Sequence, residues 1–211
     1  MKVEVTTSVK PQEHIDLSPS LRSEDFERIL EVSLFTASRL SARKKHLTQR
    51  VISRCIAIAD VLNLNNAVRL QLELAARVHR IGELYLNQAL QDKCFIDMNH
   101  AELRAYRHYP IFSALRVGEG EDCPLHNTLL LHREYFEGAG FLGQASGTAI
   151  PLTARILCAA SEFEELVLYK ATDVSSELRL QNRFLANNAG RYDPDILDAL
   201  VLTLEEELIT H

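Results

Sequence analysis

Apolar residues recur every three to four positions along most of the chain, which is the period of amphipathic helices. This spacing predicts helices over residues 23–44, 48–62 and 67–80, with Asn65 or Asn66 as the cap of the third. Capping residues and prolines predict five more helices. One starts at Asn99, and three start at prolines: Pro110 to 117, Pro124 to 132 and Pro151 to about 169. The fifth runs from Ser175 or Ser176 to near Gly190. Asp193 and Pro194 begin the last helix. Residues 1–21 lack this period and are expected to form a short non-helical tail.

The pattern therefore predicts an all-α chain, folded as a single bundle of about eight to ten helices over residues 22–211. The helix at 23–44 has apolar residues on more than one stripe, among them Val32, Leu34 and Phe35. Such a helix packs on the bundle or pairs with a second copy, so we expect a homodimer as one possible state. Its basic end, Arg43 to His46, fits a solvated helix terminus better than a nucleic-acid patch.

Composition narrows the classes of partner. The 211 residues carry 23 basic and 29 acidic side chains, a net charge of −6, which disfavours binding to nucleic acid or to an anionic membrane surface. No apolar run is long enough to span a bilayer, and no basic-then-apolar leader begins the sequence. The four cysteines are scattered and have no Cys-x-x-Cys spacing, which is typical of reduced thiols. We therefore expect a cytoplasmic protein without membrane insertion.

The candidate chemistry lies around a glycine-dense loop at 138–147, between a helix that ends at His132 and the one that starts at Pro151. His79 ends another helix, so the two imidazoles could meet in space. Two histidines are too few for a stable metal site. The sequence lacks a Gly-x-Ser-x-Gly elbow and a phosphate-binding Walker loop, and the glycines do not follow a strand as a dinucleotide fingerprint requires.

Four stretches together resemble the HD-GYP family, bacterial metal-dependent phosphohydrolases that cleave cyclic di-GMP. The stretches are AARVHRIGEL (75–84), HREYFEGAGFL (132–142), IPLTARIL (150–157) and AGRYDP (189–194). The resemblance covers about residues 46–205. It implies an HD-domain helical bundle with its core at about 46–170 and C-terminal helices over 173–210. It is most specific where IPLTARI follows the glycine loop at the family's distance.

The chain departs from the family at the positions that carry the chemistry. Where the family has a His-Asp pair this chain has His79-Arg80, and Glu83 replaces the family's lysine. His132-Arg133 stands in place of two adjacent histidines, and Phe141-Leu142 in place of Tyr-Pro. Ser161 occupies the position of a later aspartate. Tyr109 and Leu47 align with two further histidines, leaving His108 and His46 one position early, whereas Glu134 and Glu137 stand near acidic positions. An arginine beside a metal costs Coulomb energy, so we expect no catalytic residue, no metal and no other cofactor. The arginines should instead pair with Glu83, Glu134 or Glu162 in a vestigial site.

Three hypotheses about function follow from the resemblance. The first is a non-catalytic signalling module that contacts a GGDEF-type protein or an adaptor, with Phe141 and Leu142 either as contact residues of the loop or packed into the core. The second is a residual phosphodiesterase with iron, manganese or zinc on His79 and His132, helped by a displaced His46 or His108. The third is a sensor that binds a cyclic dinucleotide without cutting it. Arg80 and Arg133 could form a positive patch for a phosphate, but Glu83 and the net negative charge argue against such a patch. The catalytically inactive, all-helical HDOD relatives are an alternative at the level of fold.

Overall fold

The computed structural model describes residues 23–118, 123, 125–186, 188 and 190–210, which contain helices and turns but no strand. The all-α prediction is confirmed for this part of the chain, and the predicted tail at 1–21 lies outside it. The α-helices are α1 (Ser23–Arg39), α2 (Ala42–Val61), α3 (Asn66–Val78), α4 (Gln88–Gln91), α5 (His100–Tyr106), α6 (Tyr109–Val117), α7 (His126–Leu131), α8 (Leu152–Lys170), α9 (Val174–Ala186) and α10 (Pro194–Thr210). Short 3₁₀ helices lie at Ile81–Tyr85, Phe95–Asp97 and Gly147–Ala149.

The first long helix ends earlier than its pattern predicts. α1 ends at Arg39 and α2 starts at Ala42, because the Ser41 side chain caps α2 by accepting a hydrogen bond from the backbone N–H of Lys44. Arg43 to His46 therefore lie in the first turn of α2, and not at the end of α1 as expected. Lys44 in that turn is also buried, so the segment is not wholly a solvated helix end.

Polar side chains set most of the other helix starts. Asn65 caps α3, Asn99 forms a capping box with Glu102 at α5, and the Asp193 side chain accepts from the backbone N–H of Asp195 at the start of α10. The helix predicted after residue 174 is present as α9, but its predicted serine cap is wrong, because the Asp173 carboxylate accepts from the backbone N–H of Ser176 and holds the capping position. Pro124 lies outside the described residues.

Most of the buried apolar side chains form one core, in which α2 packs on α3, α8 and α10. α8 is buried around most of its circumference, consistent with a central helix. A smaller cluster of Leu90, Met98, Tyr106, Tyr109 and Phe141 adjoins this core. Within the described part of the chain, no helix has the length and apolarity to cross a membrane.

Candidate functional site

The bundle brings the two motif histidines together. His79 is the C-cap of α3 and His132 the C-cap of α7, and their ring centroids lie 5.6 Å apart in an edge-to-face arrangement. Each imidazole donates a hydrogen bond from Nδ1 to a carbonyl one turn earlier, His79 to Ala76 at 2.7 Å and His132 to Leu129 at 2.6 Å. These bonds fix both rings in the tautomer whose Nε2 carries a lone pair.

The two Nε2 atoms have different environments. Nε2 of His132 accepts a hydrogen bond from the Tyr109 hydroxyl at 2.8 Å, whereas Nε2 of His79 has no hydrogen-bond partner among the described residues. Burial, followed by the charge of Arg133, lowers the pKa of His132 to about 3. Burial and then Arg80 place the pKa of His79 well below its usual value. Both imidazoles are therefore neutral at physiological pH.

Arg80 lies beside the histidines and is only 1% exposed. Its guanidinium donates to Glu83 at 2.6 Å and to Glu165 at 3.1 Å. Glu83 also pairs with Lys44 at 3.0 Å and accepts from the Tyr106 hydroxyl at 2.7 Å. Burial alone would raise the pKa of Glu83, but Lys44 and Arg80 outweigh it and lower the pKa to about 2. Glu83 is therefore a carboxylate, and Arg80 has a fixed counter-charge.

Arg133 is equally buried but is held in a different way. Its guanidinium lies 4.6 Å from the ring centroid of Phe95 and 4.9 Å from that of Phe141, so the cation packs against two aromatic rings. It pairs with Glu162 at 3.1 Å and with Glu165 at 3.8 Å, although no well-directed hydrogen bond joins them. Contact with the two aromatic rings and the nearby negative charges thus take the place of hydration for the Arg133 guanidinium.

The carboxylates that balance these cations lie on α8 and in the turn after α3. The ion pairs join Lys44, Arg80 and Arg133 to Glu83, Glu162 and Glu165, three positive and three negative groups. We call these six residues the charge cluster. All six residues are at most 2% exposed. Glu162 is further held by the hydroxyls of Tyr135 and Tyr192, at 3.1 and 2.7 Å.

The remaining predicted site residues divide into those near the cluster and those outside it. Ser161 is buried, but its hydroxyl donates to the Cys158 carbonyl of its own helix. His46 and His108 are both exposed, whereas Leu47 and Tyr109 beside them are buried. The one-position displacement thus turns both histidines to solvent, and neither joins His79 and His132.

The glycine loop folds back on its own first residues. The Glu134 carboxylate accepts hydrogen bonds from the backbone N–H groups of Leu142 and Gly143, at 2.8 and 3.1 Å. A Cβ atom at Gly140 would lie 2.4 Å from the Cα of Glu134, so only glycine fits there. The Glu134 carboxylate therefore fixes the loop through backbone hydrogen bonds and is not the arginine partner that the sequence suggested.

Of the two apolar residues proposed as loop contacts, only Leu142 is accessible. Phe141 is buried against Tyr106, Tyr109 and Arg133, which corrects its interpretation as a contact residue to the alternative of core packing. Leu142 is half-buried. Glu137 is exposed on the same loop, as expected for a solvated charge.

The donor set does not fit the metal that HD-GYP proteins use. Within the described residues, no group of three or more histidine, cysteine, aspartate or glutamate side chains could hold a metal ion. The imidazole pair has arginine neighbours where further ligands are needed, and a unit charge 4 Å from a guanidinium costs about 4 kcal/mol at an effective dielectric near 20. We therefore derive no metal-dependent step from this site.

Sequence reasoning missed Lys44, Glu165, Phe95 and Tyr106. Glu165 could have been found, because Glu162, Glu164 and Glu165 stand in the middle of a mainly apolar helix and buried carboxylates need cations. Lys44 was hidden by the wrong helix boundary. The two aromatic residues leave no signal in the sequence that separates them from ordinary core residues.

Comparisons with known proteins identify the family of this chain. A model of the HD domain matches residues 26–196. The chain is 27% identical over 143 residues to the cyclic di-GMP phosphodiesterase PdeB of Borreliella burgdorferi, covering 66% of this chain and 37% of that protein. It is 24% identical over 184 residues to the 3'3'-cGAMP-specific phosphodiesterase 1 of Vibrio cholerae, covering 83% of this chain and 42% of that protein. The chain thus spans about two-fifths of the length of these relatives.

A solved structure shows the same fold. Bd1817, an HDG"Y"P protein from Bdellovibrio bacteriovorus, superposes with a TM-score of 0.65 at 17% identity, over 86% of this chain and 62% of that one. The relatives and this fold agree with the resemblance to HD-GYP proteins. The chain belongs to the HD domain family.

Proposed function

We propose that this chain is a catalytically degenerate HD-GYP-like module that acts through protein contact in a bacterial signalling pathway of the cyclic di-GMP type. The observation that carries the proposal is the charge cluster. Arg80 and Arg133 lie beside the paired imidazoles and are neutralised by three carboxylates. The charges of the six residues sum to zero, and Arg191 also pairs with Glu162 at 3.4 Å, so the set has no excess negative charge to attract a metal cation.

Burial of the cluster supports the loss of hydrolysis. The side chains of His79, His132 and both arginines are at most 1% exposed, and Phe95 and Phe141 pack over Arg133. A cyclic dinucleotide reaches these groups only if the aromatic cover opens. Hydrolysis in this family depends on a metal-activated water, and the residues here offer two imidazoles and no adjacent free carboxylate.

Metal analysis and a hydrolysis assay test the catalytic half of the proposal. We expect the purified full chain to hold far less than one iron, manganese or zinc per molecule and to leave cyclic di-GMP and 3'3'-cGAMP intact when these metals are supplied. A stoichiometric metal or steady turnover would overturn the proposal. Calorimetric binding of either dinucleotide without turnover would support a sensor instead.

A double variant tests whether the arginines are what excludes the metal. Arg80→Asp with Arg133→His changes the charge of the cluster from balanced to about −3 and adds two ligand groups beside His79 and His132. We expect this variant to take up a divalent metal that the parent does not. The matched control is Arg77→Asp with Arg104→His, which changes exposed or half-exposed arginines by the same charges. Equal metal uptake by both variants would show that Arg80 and Arg133 are not what excludes the metal.

The contact half of the proposal is tested at the glycine loop. Leu142→Glu introduces a charge at the half-buried apolar position, whereas Gln144→Glu adds the same charge at an exposed neighbour. We expect binding to a GGDEF-type protein or an adaptor, measured by two-hybrid or co-purification, to be lost with the first variant and kept with the second. Equal binding by both would remove Leu142 from the contact.

A further inference from the structure

Exposed apolar side chains are concentrated on α1 and α6. Among the described residues, α1 exposes three large apolar side chains and α6 two, out of ten in all. We define the α1–α6 surface as Leu30, Leu34, Phe35, Phe112, Leu115 and Arg116. Leu34 is 73% exposed, although it stands in the middle of a regular helix. A concentration of this kind marks an interaction surface, because isolated apolar residues would be scattered.

The opposite side of α1 is already used for folding. Ile29 and Val32 are buried in the main core, and α1 packs on α3 and α6. The helix is thus anchored, and its exposed stripe is presented by a fixed element. Arg116 reaches across from α6 to lie 5.9 Å from the Phe35 ring centroid, so the two helices form one continuous face.

The charges along α1 indicate what this face binds. Exposed acidic residues, Glu24, Glu27 and Glu31, precede Leu34, and the exposed basic Arg39 follows it. The one exposed cation in the acidic half, Arg28, is paired with Asp25 at 2.7 Å. The helix is therefore acidic before its apolar centre and basic after it.

A helix with this polarity is complementary to an antiparallel copy of itself. A twofold axis near Leu34 and Phe35 places Glu31 of one copy opposite the Ser38–Arg39 end of the other, and the apolar stripes meet between them. We propose that the α1–α6 surface is the interface of a homodimer in which two α1 helices pair antiparallel. This inference does not depend on the catalytic state of the charge cluster.

Sedimentation equilibrium of the full chain tests the association. We expect a reversible monomer–dimer equilibrium at micromolar concentrations. Leu34→Glu should raise the dimer dissociation constant by at least about tenfold, because it puts like charges at the centre of the interface. The matched control is Val174→Glu, at a position on α9 that is 75% exposed, and it should leave the constant unchanged. Circular dichroism confirms that both variants fold.

Charge reversal tests the antiparallel register. Glu31→Arg and Arg39→Glu should each weaken the dimer, and combining them in one chain should restore it, since the two opposed charges exchange places. A cross-link gives a readout that is independent of stability. All four native thiols are buried, so Leu34→Cys adds a single accessible thiol, and mild oxidation should produce a disulfide-linked dimer. Val174→Cys should not give this product.

Three results would overturn the proposal. A wild-type chain that is monomeric at every concentration excludes the dimer and leaves the surface to a different occupant. A dimer unaffected by Leu34→Glu has its interface elsewhere. A double charge reversal that binds no better than the single variants excludes the antiparallel pairing.

Discussion

A buried guanidinium is tolerated only where charges or ring faces replace its water, and Arg133 has both kinds of neighbour. The rings of Phe95 and Phe141 lie within 5 Å of its central carbon, and Glu162 and Glu165 supply negative charge. Both carboxylates lie on α8 and are shared with other cations, Glu165 with Arg80 and Glu162 with Arg191. Removing a single member leaves the others as uncompensated buried charges, which is more costly than removing the whole set.

We expect Arg133→Met to lower the free energy of unfolding by about 3–5 kcal/mol, the usual cost of breaking a buried ion pair. The control is Arg77→Met, which removes the half-exposed pair with Glu73 on α3 and should cost about 0.5 kcal/mol. Urea denaturation of both variants gives the comparison. Equal losses would mean that Arg133 contributes no more than a surface charge.

The neutral imidazoles make stability depend on pH. The pKa of His132 falls from 6.5 to about 3 on folding, so the unfolded chain binds a proton that the folded chain does not. The contribution of neutral His132 to the unfolding free energy is therefore full above pH 6.5. It is lost as the pH falls toward 3, by roughly 1.4 kcal/mol for each pH unit. His79 acts in the same direction.

His132→Gln should therefore reduce the slope of the unfolding free energy between pH 6.5 and about 4.5 by one proton. The measurement is urea denaturation at several pH values with a chelator present, so that release of a bound metal cannot produce the same slope. Parallel curves for the variant and the parent would show that His132 is not the titrating group.

At the scale of elements, the boundary between α1 and α2 has the largest consequence. Ser41 ends one helical direction and begins another, and this turn carries Lys44 into contact with Glu83. The Ser41 hydroxyl also donates to Asp92 at 2.6 Å, which ties the corner to the segment after α4. One small polar side chain thus fixes the helix start and a contact 51 residues away.

We expect Ser41→Ala to destabilise the protein by about 1 kcal/mol through the lost cap, with a further contribution from the bond to Asp92. Ser38→Ala is the control, because its hydroxyl bonds only to the Phe35 carbonyl of its own helix among the described contacts. Thermal unfolding of both variants is the measurement. A loss of stability no larger than that of Ser38→Ala would show that the Ser41 cap does not stabilise the protein.

The same corner explains how far sequence reasoning could go. Helical period, Asn65, Asn99 and Asp193 predicted most helices, since capping is local chemistry written in a few adjacent residues. The break at Ser41 was missed because the apolar period continues across it. In the site, the pairing of His79 with His132 followed from their places at helix ends. The ring faces around Arg133 depend on residues far apart in sequence and were not predictable from periodicity.

At the scale of the whole molecule, the helices share the core unequally. α8 contributes buried residues along most of its length. They include Glu162 and Glu165 of the charge cluster, and Glu164, which pairs with Arg54 of α2 at 2.8 Å. α9, in contrast, has no fully buried residue, and the half-buried Phe184 holds it by packing on Phe163 and Tyr192. The chain should therefore unfold cooperatively around α8 while α9 opens separately.

Amide hydrogen exchange distinguishes these two behaviours. We expect the amides in the middle of α8 to exchange only through global unfolding, with protection that falls in step with stability as urea is added. The amides of α9 should exchange through a local opening whose rate is nearly independent of low urea, because little surface is exposed in that opening. Phe184→Ala should raise exchange in α9 and leave α8 unchanged relative to the variant's own global stability. If α9 were as protected as α8, the separate opening would be excluded, and the interior would have to include α9 as a full member of the same cooperative unit.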